Sequence, residues 1–131
     1  MSITKQQKQE ILDKLGKKVI EFRDRSLSGA MRCVAGNFLN PISRNKYSEL
    51  AKLSKSQYEL VCDLLSETIT STIFEFLNTF EEEADWMKFL VKHNGQEYDL
   101  CDISEKMGSE IACYDEDGWI QKFSKIGRFV L

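Results

Sequence analysis

Carboxylates are the residues of this chain whose types and spacing could do chemistry. Asp63 and Glu67 stand one helical turn apart, as do Glu81 and Asp85, and Asp115, Glu116 and Asp117 run together in YDEDGWIQKF. Paired acids bind cations, or divide acid and base roles when burial separates their pKa values. The cation reading of DEDG has an arithmetic test. With Gly118 as the invariant glycine of a calcium loop, the first ligand position falls on Cys113, the third on Asp115, the fifth on Asp117 and the twelfth on Ser124. A thiol replaces the first acid and a hydroxyl replaces the bidentate carboxylate, so the loop lacks two of the ligands that such a site requires.

Other chemistries fail on composition. The single histidine, His93, precedes Asn94-Gly95, a turn position where solvent exposure is expected, so a nucleophile triad has no base. Cys33, Cys62, Cys101 and Cys113 are 29, 39 and 12 residues apart with no CxxC pair, which is the spacing of reduced thiols rather than of a zinc site or a disulfide scaffold. No glycine-rich phosphate loop occurs. The chain is therefore expected to use no metal and no cofactor. Asp63 and Glu67 fall on the predicted polar face of a helix, where ordinary ionisation and a partner surface are the competing readings. A small enzyme using these acids with DEDG, or a structural subunit of a complex, is the alternative.

Net charge is -3, but residues 1–60 carry 12 Lys and Arg against 6 Asp and Glu, whereas residues 61–131 carry 6 against 15. Lys14, Lys17, Lys18, Arg23, Arg25 and Arg32 are the candidate nucleic-acid residues, yet Asp13, Glu21 and Asp24 interrupt them, and a nucleic-acid partner is not expected. No window approaches the run of roughly 18 apolar residues that spans a bilayer, and the first residues hold no apolar signal core, so neither membrane insertion nor export is expected.

The elements that must position these side chains are mostly helical. Thr4 with Gln7 forms a capping box before Ile11, Leu15, Val19 and Phe22, predicting a helix over 5–25 that runs on or kinks near 26–29 through Leu27, Ala30, Met31 and Val34 before Gly36-Asn37 stops it. A short helix is expected over 43–52. Leu53, Ser54, Gln57 and Tyr58 then combine a capping box with a hydrophobic staple, opening a helix of about 28 residues that ends near Glu82. The β-branched run TITSTIF argues for a strand. Rows of every fourth residue overrule it: Val61, Leu65, Ile69, Ile73 and Leu77 are wholly apolar, with Leu60, Leu64, Thr68, Thr72, Phe76 and Phe80 beside them. Glu59, Asp63, Glu67, Ser71, Glu75 and Thr79 form an opposing polar row, and Ile69, Ile73 and Phe76 are expected in the core.

After Glu83 the period becomes two. Asn94-Gly95 predicts a two-residue hairpin turn that sets His93 opposite Gln96, Lys92 opposite Glu97 and Val91 opposite Tyr98. Asp102 with Glu105 is expected to cap a short helix carrying Ile103, Met107 and Ile111 inward. Trp119, Phe123 and Ile126 mark a last helical turn ended by Gly127, and the apolar RFVL at 128–131 suits an edge strand. The expectation is one domain over 1–131 of the α+β class, mainly α-helical, with four to five helices, a long central helix and a small antiparallel β-hairpin.

TITSTIFEFLNTFEE in the long helix and DEDGWIQKFSK near the end, with the NG hairpin between, together resemble small bacterial proteins of the immunity or toxin-accessory kind over roughly residues 55–126. The resemblance implies a cytoplasmic protein without catalytic residues that binds another protein, such as a basic toxin domain of the nuclease type. An acidic face suits such a partner, because carboxylates steer association with a surface built to hold phosphates. Asp63, Glu67, Glu75, Glu82, Asp115, Glu116 and Asp117 are the candidate acids of that face. Trp86 and Trp119 are candidate anchors if exposed, with core packing as the competing role.

Overall fold

The computed structural model describes residues 3–112 and 117–127. Asp115, Glu116 and the apolar end at 128–131 lie outside the described residues. The first helix, α1, runs unbroken over Lys5–Val34, because Leu27 and Val34 extend the face begun by Ile11 and Ile20 and all four are buried. Thr4 and Gln7 form the capping box reciprocally, and at the other end Gly36 adopts φ +86° while the Gly36 and Asn37 amides bond back to Cys33 and Arg32. That paired closure is the Schellman arrangement, which needs a left-handed residue at the glycine.

A corner follows. Asn40 caps α2, Pro41–Tyr47, which tightens into a 3-10 segment over Ser48–Lys52 in place of one uniform short helix. The long helix α3 spans Lys55–Glu82, opened by the Ser54–Gln57 capping box. Strands β1, Leu90–His93, and β2, Gln96–Asp99, pair antiparallel in the register set by Asn94 and Gly95, both at positive φ. The Lys92 ammonium meets Glu97 across the strands at 3.9 Å.

The chain then turns directly into α4, Leu100–Ile103. Its cap is Asp99, which accepts from the Cys101 amide, so Asp102 sits inside the first turn instead of capping it. A 3-10 segment, Met107–Glu110, and α5, Trp119–Phe123, complete the described structure. The fold is α+β and mainly α-helical: five α-helices and one two-stranded sheet among the described residues.

The apolar core gathers Ile11, Leu12 and Ile20 of α1, Leu77 and Phe80 of α3, Leu100 and Ile103 of α4, then Met107, Ile111, Trp119 and Ile120. Phe89, Val91 and Tyr98 pack the hairpin's inner face onto it. Two glycines make close approach possible. A Cβ at Gly16 would stand 2.6 Å from the Trp119 indole, and one at Gly108 would stand 2.5 Å from the Phe74 carbonyl of α3. Trp119, 1% exposed, is thus seated against the α1 backbone.

Above this cluster the helix contact turns polar. Arg23, placed by its sequence among candidate surface cations, is fully buried. Its guanidinium donates to Ser66 Oγ of α3 at 2.9 Å, to Asp24 Oδ1 at 2.9 Å and to Ser124 Oγ at 3.2 Å. Ser124 donates in turn to Asp24, and the Lys125 amide adds a third donor to that carboxylate. Ser124 Oγ also accepts from the Ile126 and Gly127 amides, so one hydroxyl organises the segment after α5. Burial pushes the Arg23 pKa down while Asp24 opposes the shift. A guanidinium stays charged regardless. Arg23→Met keeps the bulk but removes the guanidinium from Asp24, which retains Ser124 and the Lys125 amide, and from Ser66; removing one partner of a buried pair costs about 3 to 5 kcal/mol. Urea unfolding measures this; a loss under about 1 kcal/mol would class the pair with surface ion pairs.

Candidate partner-binding face

Over its first half the long helix presents its buried side one residue on from the expected row, and it returns to that row at Leu77. Cys62, Ser66, Thr70, Leu77 and Phe80 are buried, and Val61, Leu65, Ile69 and Ile73 are only partly covered. The displacement has a physical cause. Arg23 demands a hydroxyl facing it, Ser66 supplies one, and a one-residue change of face rotates a helix by about 100°. Phe76, expected in the core, turns outward and Ile69 is only partly covered, whereas Ile73 packs against the core and Leu77 is within it.

Leu60 is 71% exposed, Leu64 61% and Phe76 55%. With Thr68 and Thr72, also exposed, they form one ridge at fourfold spacing, about 24 Å long at 1.5 Å per residue. One of the two threonines in the middle of the ridge is apolar in effect. Thr72 Oγ1 donates to the Thr68 carbonyl at 2.8 Å, which satisfies the hydroxyl within the helix. At the far end Phe76 meets Phe80 edge to face with ring centroids 5.2 Å apart, and Phe80 meets Phe89 of the hairpin approach at 5.4 Å. Phe76 is thereby held by the core while more than half of it faces solvent. Single exposed apolar residues are ordinary on a protein surface, and three aligned on one face of a helix make this face a candidate contact site.

Acids flank the ridge. Glu67 and Glu75 line the same shallow surface as Leu64, Thr68 and Thr72, and neither makes an ion pair among the described residues. Asp63, half-buried, lines the neighbouring surface with Glu59 and Leu60. Glu82 is exposed at the end of α3. Trp86 is 70% exposed just beyond it, its indole N–H donating to the Glu83 carboxylate.

The remaining candidates stand elsewhere. Asp117 is bonded to Lys106 at 2.7 Å, so its charge is answered within the molecule. Trp119 is buried and anchors α5, which removes it from any surface. Asp117 lies in a separate cleft of ≈ 400 Å³ with Lys5, Lys8, Asp13 and Lys122, apart from Asp63 and Glu67 of α3. Lys122 reaches across that cleft to Asp13 at 3.0 Å, joining α5 to α1. Among the described residues no group of three His, Cys, Asp or Glu side chains is placed to hold a metal ion.

His93 departs from its expected exposure. Its side chain is four-fifths covered and Nε2 lies 3.7 Å from Glu10, because the hairpin leans on the start of α1. Of the thiols, Cys33, Cys62 and Cys101 are free. Burial, then the charges of Asp99, Glu81 and Asp102, push the Cys101 pKa up, and its Sγ–H donates to the Phe80 carbonyl. Cys101 is thus an inert thiol near neutrality. Among the described residues no helix is long and apolar enough to cross a membrane.

No family model, curated protein or solved structure matches the chain. The reading of the site rests on its own geometry.

Two outcomes test this description. Leu64→Lys replaces an outward residue, so stability should hold within about 0.5 kcal/mol, whereas a core leucine would cost several. Denaturant midpoints decide between them. Burial works to raise the Asp13 pKa, but hydrogen bonds from Lys122 and Gln9 outweigh it and hold the carboxyl below its usual value. A depressed folded-state pKa gives stability that is present above the unfolded value, near about 4, and lost as pH falls through the folded one. Thermal melts of Asp13→Asn should therefore fall below wild type at neutral pH and converge with it below about pH 3.

Proposed function

We propose that this chain is a protein-binding module without catalytic residues that neutralises a basic partner, in the manner of an immunity protein bound to its toxin. The observation that carries this reading is the exposed ridge of Leu60, Leu64 and Phe76 flanked by Glu67 and Glu75. Apolar anchors supply contact energy inside a charged rim that steers encounter and rejects wrong partners.

Other occupants fit this face less well. A nucleic acid or an anionic lipid surface would meet the glutamates phosphate against carboxylate. Two copies placed ridge to ridge about a twofold axis would set the acidic row of one near that of the other. A small molecule binds in a concavity, and a single helical ridge is convex. A protein with a cationic, partly apolar surface satisfies every side chain on the ridge. Trp86 and Glu82 extend the surface beyond the end of α3.

The acidic face also fits the cytoplasmic neutralisation of a nuclease-type domain, whose own phosphate sites must be cationic. Co-expression with the product of the adjacent reading frame tests the proposal. The wild-type chain should restore growth against a toxic neighbour and co-purify with it. Leu60→Asp with Leu64→Asp should lose both while the circular dichroism and melting midpoint stay near wild type. A harmless neighbour with no co-purifying protein would overturn the reading.

A further inference from the structure

We infer that the element docking on α3 is a cationic amphipathic helix, seated across the ridge at Thr68 and Thr72. This rests on the proposal that the ridge is the binding face and specifies what lies there.

Three observations point to a helix. First, the ridge is a saddle: Leu60 and Leu64 rise at one end, Phe76 rises at the other, and the two threonines between them are small. Ridges at fourfold spacing accept the matching ridge of a second helix at a crossing angle near -50°, with axes roughly 8 to 10 Å apart and closest where the side chains are smallest.

Second, the Thr72 hydroxyl is committed to the Thr68 carbonyl at 2.8 Å, so covering this residue strands no hydrogen bond.

Third, α3 offers a visitor no backbone partners in its middle, since its own amides and carbonyls close the helical ladder. An extended peptide laid there would leave its own N–H and C=O groups without main-chain partners, whereas a helix arrives with them paired. The charge follows from the flank. Glu67 and Glu75 lie beside the saddle without ion pairs among the described residues, so the visiting helix carries Lys or Arg on the edge that meets them.

A synthetic probe tests this directly. A fluorescein-labelled peptide of about eighteen residues, or five turns, with Leu and Ala on one face and Lys on its edges, is titrated with the full chain by anisotropy. A peptide of the same composition, scrambled to destroy the apolar stripe, is the control. The patterned peptide should bind roughly tenfold or more tightly than the scrambled one, the worth of one interface anchor. Thr72→Trp fills the saddle on an exposed turn of helix and should abolish the difference, while Thr72→Ala keeps the saddle low and should preserve it. Glu67→Lys with Glu75→Lys should weaken binding at low salt and flatten its salt dependence.

Equal binding of the two peptides, insensitive to Thr72→Trp, would mean adsorption by charge alone and overturn the inference. So would an absence of peptide binding alongside a co-expression result that depends on Leu60 and Leu64. In that second case the ridge remains the binding face and only its helical occupant is wrong.

Discussion

A buried guanidinium sets the geometry of this molecule. Arg23 has no exposed side-chain surface and reaches three elements at once: Asp24 beside it on α1, Ser66 on α3 and Ser124 after α5. Desolvating a cation costs several kcal/mol unless its donors are met, so each partner must be in place for the rest to fold around it. Arg23 fixes how far α3 is rotated about its own axis, because Ser66 must point inward. It also fixes where the chain goes after α5, because Ser124 and the Lys125 amide both bind Asp24.

The same constraint explains why a helix with enough apolar residues to be buried leaves many of them in water. With Ser66 and Thr70 turned toward α1, part of the inward face is given to hydroxyls, and Thr70 Oγ1 finds no hydrogen-bond partner among the described residues. Turning Leu60, Leu64 and Phe76 inward instead would bury roughly 1.5 to 3 kcal/mol of apolar side chain at each position. It would also take Ser66 away from the buried Arg23, which would keep Asp24 and Ser124. A buried guanidinium donor deprived of its acceptor opposes that gain, and Ser66 faces Arg23 while the apolar ridge stays outside.

Much of the fold was legible because its signals are local. Capping boxes at Thr4 and Ser54, the stop at Gly36 and the Asn94-Gly95 turn each act through hydrogen bonds within a few residues, and each appears where its pattern placed it. The face of α3 was not legible in the same way. Rows 60, 61 and 62 differ by one residue, both the first two are rich in apolar side chains, and a contact from Arg23, 43 residues from Ser66, draws the third inward over the first half of the helix before Leu77 and Phe80 take over. The same long-range contact removed Arg23 from the surface. Trp119 could be read as an anchor but its seat could not, since the vacancy belongs to Gly16 on α1. Of the candidate acids, Glu67 and Glu75 join the exposed ridge while Asp117 is answered by Lys106, a distinction that depends on a fold partner 11 residues away.

An apolar ridge on an isolated helix invites self-association, and the acidic row beside it opposes that outcome. Bringing two such ridges together would place unpaired carboxylates near one another in a contact being stripped of water, where like charges repel more strongly than in bulk solvent. The glutamates thus do for the free protein what edge charges do for an exposed strand, keeping an adhesive surface from its own copies. They turn from a penalty into an attraction only when the arriving surface is cationic. Under the proposed function one set of side chains serves both purposes: the ridge would give affinity without much discrimination, and the acids would decide which partner uses it.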